Sequence, residues 1–233
     1  MMVYRADVEL ALSAGQPPLF PITGVQWEPH IAGRKLMRRI PESLQDQATQ
    51  RPVLGTSDAK LLSVWADLRE LAKLSNLANQ TSQKIPAAAF NEMQVSILYR
   101  LIFLKEYHSH RDEAGLTWAC LLAFAFTIFI QHQNHVMQRF DRVVGHLRAA
   151  LRTLSDSTLV ISESLTLWML MTLRVAVPTD KPESWEKEVL YAALPDLNIE
   201  AWSRVQSLLK EFMWIECLQE ELGKKFLIRA LSE

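Results

Sequence analysis

The chain has 233 residues, 49% of them hydrophobic, with seven tryptophans and only seven glycines. That composition excludes a disordered regulator, which lacks the apolar and aromatic residues to fill a core. A formal net charge of −1 supplies no field for holding nucleic acid by phosphate neutralisation.

Residues 1–56 stand apart from the rest, with Pro17, Pro18, Pro21, Pro29, Pro41 and Pro52 and four of the seven glycines. Such density breaks helices, so this segment is predicted as one opening helix and an extended arm packed on the remainder. Its start, Met1-Met2-Val3-Tyr4-Arg5, has no continuous apolar core of the signal-peptide kind. Within the arm, Arg34-Lys35-Leu36-Met37-Arg38-Arg39 reads as a solvated helix face turning Leu36, Met37 and Ile40 inward. A nuclear import signal or a phosphate-binding patch is the alternative.

Residues 57–233 carry helical signals throughout and are predicted as one helical domain. Ser57 is placed as the N-cap of a helix bearing Leu61, Trp65, Leu68 and Ala72. The polar stretch from Asn76 to Lys84 interrupts, and its Asn79-Gln80-Thr81 sequon is read as accidental. Pro86 then opens a helix, where its missing N–H costs nothing, with Met93, Ile97, Leu101 and Leu104 on one face. After a polar turn at Tyr107–Asp112 comes a very apolar helix near 113–131. Its run Leu116–Ile130 is 15 residues long, short of the roughly 17–25 that span a bilayer, and predicts a buried central helix.

Phe140, Val143, Val144, Leu147, Leu151 and Leu154 predict an amphipathic helix ending near Asp156. The next runs from about Val160 to Val177 and stops before Pro178. Another begins at Pro182 and Glu183 and ends near Pro195. Asn198 is placed as the cap of a helix bearing Trp202, Val205, Leu208, Leu209 and Phe212. Leu222–Leu231 reads as a final short helix. No stretch alternates with the period of a strand. The fold class is all-α, a bundle of about eight or nine helices, each about 10–20 residues long.

Chemistry-bearing patterns are sparse. The sequence has no Gly-rich phosphate loop, G-x-S-x-G, H-E-x-x-H or Cys-x-x-Cys. Ser57-Asp58-Ala59-Lys60 fits S-x-x-K, but a capping role accounts for Ser57. His132 and His135, near Asp141 in sequence, lack the third ligand and orienting groups of a metal site. His108 and His110 fall on different helix faces. Cys120 and Cys217, both in apolar surroundings, are read as two buried, reduced thiols. Asp112-Glu113 and Glu220-Glu221 are read as solvated or helix-terminal carboxylates. The tryptophans Trp27, Trp65, Trp118, Trp168, Trp185, Trp202 and Trp214 read mostly as core, with room for an effector pocket between helices.

The order of Leu165-Thr166-Leu167-Trp168-Met169-Leu170, then Leu197-Asn198-Ile199-Glu200-Ala201-Trp202, then Leu208-Leu209-Lys210-Glu211-Phe212-Met213-Trp214 resembles the C-terminal half of the fungal-specific transcription factor domain. Upstream, Ile40-Pro41-Glu42-Ser43-Leu44, the helix Leu61–Leu68 and Ser96-Ile97-Leu98-Tyr99-Arg100-Leu101 are similar to further elements of that family, so that the likeness spans roughly Arg38 to Leu227. The residues carrying the pattern as structural positions are Trp168, Leu197, Ile199, Trp202, Leu208, Leu209, Phe212 and Trp214. Two features depart from it. The binuclear zinc cluster that accompanies the family's helical domain takes six cysteines, where this sequence has two, and its basic recognition segment is missing.

The resemblance implies a regulatory helical domain without catalytic residues, cofactor or bound metal. It implies location in the nucleus, or shuttling between nucleus and cytoplasm. Contacts with other regulators or a second copy, or a small-molecule effector, would carry its action, with no specific DNA binding by these residues. The zinc-cluster module would belong to a longer protein, or this is a finger-less relative. The alternatives are a helical enzyme of unrecognised type and a membrane-associated helical protein.

Overall fold

A computed structural model describes residues 2–20, 58–82, 84–104, 112–130, 140–156, 161–178, 181–194 and 202–232. Every regular element among them is a helix: α1 (Met2–Ala14), α2 (Ala59–Gln80), α3 (Ala87–Phe103), α4 (Glu113–Phe129), α5 (Asp141–Asp156), α6 (Glu163–Ala176), α7 (Ser184–Ala193), α8 (Trp202–Phe212) and α9 (Glu216–Ser232). The all-α expectation therefore holds. The basic cluster, Trp27, Ser57, Leu197 to Ile199 and the four histidines at 108, 110, 132 and 135 lie outside the described residues.

The architecture follows from two helices that have no polar face. In α4 every residue from Gly115 to Phe129 is buried. In α6 every residue from Leu167 to Ala176 is buried. A helix apolar all round has to be surrounded. Here α4 and α6 pack on each other, while α2, α3, α5 and α9 cover α4 and α5, α7, α8 and α9 cover α6. Among the described residues no helix is long and apolar enough to cross a membrane. The apolarity of α4 is spent on the protein interior.

The helix ends are set by local chemistry. The cap of α2 is Asp58 rather than Ser57: a carboxylate oxygen of Asp58 accepts from the N–H groups of Lys60 (2.8 Å) and Leu61 (3.0 Å). Asp112 caps α4 and Ser162 caps α6 in the same way, so α6 starts at Glu163 and not at Val160. Glu183 and Glu186 form a capping box on α7. At the other end of the chain, α9 spans 17 residues, a longer helix than Leu222–Leu231. Met213-Trp214-Ile215 is a break between α8 and α9 rather than a continuation of the helix.

α1 lies on α3 and α5 and contributes Val8, Ala11 and Leu12 to the core. The Asp7 carboxylate accepts the N–H groups of Leu19 (2.7 Å) and Phe20 (3.0 Å), which ties the following segment back to the helix. Gly15, in the left-handed region at φ 64°, ends α1, and the Gln16 N–H donates to the Ala11 carbonyl at 3.1 Å.

Among the described residues two ion pairs are buried in the bundle. Arg100 of α3 pairs with Asp67 of α2 and donates to Ser63 Oγ at 2.9 Å. Arg174 of α6 pairs with Glu186 of α7, whose other oxygen accepts the Glu183 N–H at 2.8 Å. Each guanidinium is desolvated, and a carboxylate and further acceptors replace its water. Such pairs specify which helices meet rather than adding much net stability.

Two helical glycines give opposite expectations. A Cβ on Gly145 in α5 meets nothing within 4 Å, whereas one on Gly223 in α9 comes to 3.0 Å from both Trp202 Cη2 and Trp214 Cζ2. Gly145→Ala is expected to stabilise the fold by about 0.5–1 kcal/mol through helix propensity. Gly223→Ala is expected to lose about 1 kcal/mol or more, overpacking outweighing the same propensity gain. Urea denaturation of the two variants checks the sign; a stabilised Gly223→Ala contradicts the packing described.

Candidate functional site

Two regions stand out, an indole cluster and a pocket. The cluster is centred on Trp168 of α6. Its side chain is wholly buried, and its Nε1–H donates to the Met213 carbonyl at 2.8 Å. The ring meets Trp65 of α2 edge-on at 5.2 Å and stacks on Phe212 of α8 at 5.8 Å. Asn76 of α2 also holds the same break. Its Nδ2 donates to the Trp214 carbonyl at 2.7 Å, and its Oδ1 accepts the Glu216 N–H at 3.0 Å. Trp214 in turn meets Trp202 at 6.4 Å, with Gly223 beneath both rings.

The structure thus gathers most of the residues singled out in the sequence. Trp168, Trp202, Leu209, Phe212 and Trp214 are buried and belong to one core, while Leu208 is half-buried against it. Leu197 and Ile199 are outside the described residues. Trp65 and Trp118 are also core, and Trp185 is half-buried, donating to Glu183 at 3.1 Å.

The pocket is of about 330 Å³ and lies between α1, α3, α4 and α5. Leu12, Leu101, Ile102, Trp118, Leu122 and Val143 give it apolar walls. Trp118 is held by its Nε1–H, which donates to the Leu101 carbonyl at 3.0 Å. Polar groups come from Gln16, Arg142 and His146. The His146 imidazole stands perpendicular to Trp118 with centroids 6.1 Å apart. Partial burial lowers its pKa from the ordinary histidine value, which favours the neutral ring. Arg142 passes over Gly15 so closely that a Cβ there would fall 2.6 Å from its Nη1. The glycine that ends α1 thereby also makes room for the guanidinium. A volume of this size is at the lower end for small-molecule sites.

Among the described residues no group of three or more His, Cys, Asp or Glu side chains is placed to hold a metal ion. Cys120 is buried in α4, and the lack of water around it pushes its thiol far above the ordinary range. Cys217 corrects the expectation of two buried thiols: it is exposed on α9. Its pKa is also raised, first by partial desolvation.

The residues that build the pocket were not apparent from the sequence. Gly15, Leu101, Trp118 and His146 are distant along the chain and share no motif. The buried charges gave a usable signal, since Arg100 and Arg174 interrupt the apolar runs SILYRLI and MTLRVAV. No family model matches the chain, and neither the curated proteins nor the solved structures contain a match.

The two thiols differ in a measurable way. In the native protein a thiol reagent is expected to modify one cysteine, Cys217, with Cys120 reacting only on global unfolding. Peptide mapping by mass spectrometry reads this directly; modification of Cys120 under native conditions contradicts its burial in α4.

Proposed function

We propose that this chain is a regulatory helical domain of the fungal-specific transcription factor domain kind, acting in the nucleus without reading DNA itself. The observation that carries the reading is the convergence of Trp168, Trp202, Leu209, Phe212 and Trp214, the pattern behind the resemblance, on one cluster. Arg100 and Asp67, from two upstream segments that share the resemblance, meet in the same fold as a buried pair. The pocket between α1, α3, α4 and α5 supports a sensing role, since a ligand that prefers one packing of the helices shifts the population toward it. Its output passes through contacts with other regulators or a second copy of the chain. Sequence-specific DNA recognition is assigned elsewhere, in keeping with a net charge of −1.

The test tethers residues 1–233 to a promoter through an unrelated DNA-binding module in a fungal cell. The fusion is expected to raise or lower reporter output relative to the module alone, while the untethered chain forms no specific complex with duplex DNA. Reporter output identical to that of the module alone, from a fusion shown to be folded, overturns the regulatory reading. A nanomolar DNA complex that survives moderate salt overturns the assignment of DNA recognition elsewhere.

A further inference from the structure

We infer that the pocket between α1, α3, α4 and α5 is a binding site for an apolar carboxylic acid, with the carboxylate at Arg142 and the hydrocarbon body against Trp118 and Leu122. This rests on the effector-sensing reading above and names the chemistry of the effector.

Three observations carry it. The inner walls are apolar and mostly buried: Leu12, Leu101, Ile102, Trp118, Leu122 and Val143 are all core residues. A ligand that fills this space gains by removing its own apolar surface from water. The charge at the pocket is a cation. Among the described lining residues there is one formal charge, on Arg142, and no carboxylate. Arg142 has no ion-pair or hydrogen-bond partner among the described residues, in contrast to Arg100 and Arg174, which are each closed off by an acid. A guanidinium offers paired N–H donors that match a carboxylate in two parallel hydrogen bonds.

That guanidinium also lies close against the end of α1. Gly15, in the left-handed region and without a Cβ, leaves room for Arg142 to cross the end of α1, where an ideal Cβ would fall 2.6 Å from its Nη1. Arg142 thus lines the pocket while remaining exposed to solvent. His146, on the same helix one turn along, also lines the pocket, and the downward shift of its pKa means that it adds no second charge there near neutral pH. A neutral apolar ligand would make no charge-assisted bond to the guanidinium, and a cationic one would be repelled by it.

The experiment uses the full 233-residue chain and isothermal titration calorimetry with octanoate, its neutral isostere octanamide and the cation octylamine. One octanoate per chain is expected, with octanamide about tenfold weaker because it lacks the charge-assisted bonds, and octylamine weaker still. Two variants place the ligand. Arg142→Gln, at an exposed position, should abolish the preference of octanoate over octanamide. Gly145→Leu, where a Cβ meets open space, should block the pocket and remove binding of both. Circular dichroism confirms that each variant keeps its helices.

Equal affinity for octanoate and octanamide overturns the carboxylate assignment. Octanoate binding that survives Gly145→Leu overturns the location, and absence of binding by all three probes overturns the site. The tethered reporter, scored without added acid, decides the regulatory reading separately. Output changed by the tethered chain together with no octanoate binding leaves that reading standing and removes this one alone.

Discussion

Trp168 is the residue on which the arrangement depends. It comes from one of the two helices with no polar face, and its indole reaches three other parts of the chain. Trp65 presents its edge from α2, Phe212 stacks from α8, and the Met213 carbonyl accepts its only N–H. That carbonyl lies in the break between α8 and α9, where the backbone has left one helix without having entered the next. Backbone groups in such a break are unpaired by secondary structure and need side-chain partners when buried. Trp168 and Asn76 supply them from two different helices, α6 and α2. The C-terminal helices are fixed by a few directed hydrogen bonds set inside a large apolar contact.

The polar core follows the same logic. Arg100–Asp67 joins α2 to α3, and Arg174–Glu186 joins α6 to α7. Neither is an economical way to gain stability, because desolvation cancels most of the attraction. Both penalise any packing that separates the two helices concerned. A bundle made of Leu-, Ala- and Trp-rich helices has many alternative ways to bury the same surface, and these pairs reduce the number. Arg142 is the exception among the arginines discussed, since it stands at a cavity with no acid opposite it among the described residues.

Much of the fold was legible because its signals are local. The apolar runs of α4 and α6, the prolines at 86, 178 and 182 and the cap-forming side chains fix helix existence within a few residues. Boundaries shifted where two capping candidates adjoin, as at Ser57 and Asp58. Cys217 was misjudged for a periodic reason. α9 buries Gln219, Gly223, Leu227 and Ala230, which puts Cys217 on the outer side with Glu221 and Ile228. The apolar residues before it, Met213 to Ile215, belong to the buried break and say nothing about that face. The pocket was illegible because it is a tertiary object. Gly15, Leu101, Trp118 and His146 become neighbours only when α1 is laid across α3 and α5.

The central claim is that Trp168 locks the break between α8 and α9 inside a core that opens only with the whole domain. Hydrogen exchange of the indole N–H groups, followed by NMR in the native protein, tests it directly. The Trp168 Nε1–H should exchange with the free energy of global unfolding measured by denaturant, while that of half-buried Trp185 exchanges far faster. Exchange of Trp168 at a rate close to that of Trp185 would mean that the C-terminal helices open on their own, and would contradict the account.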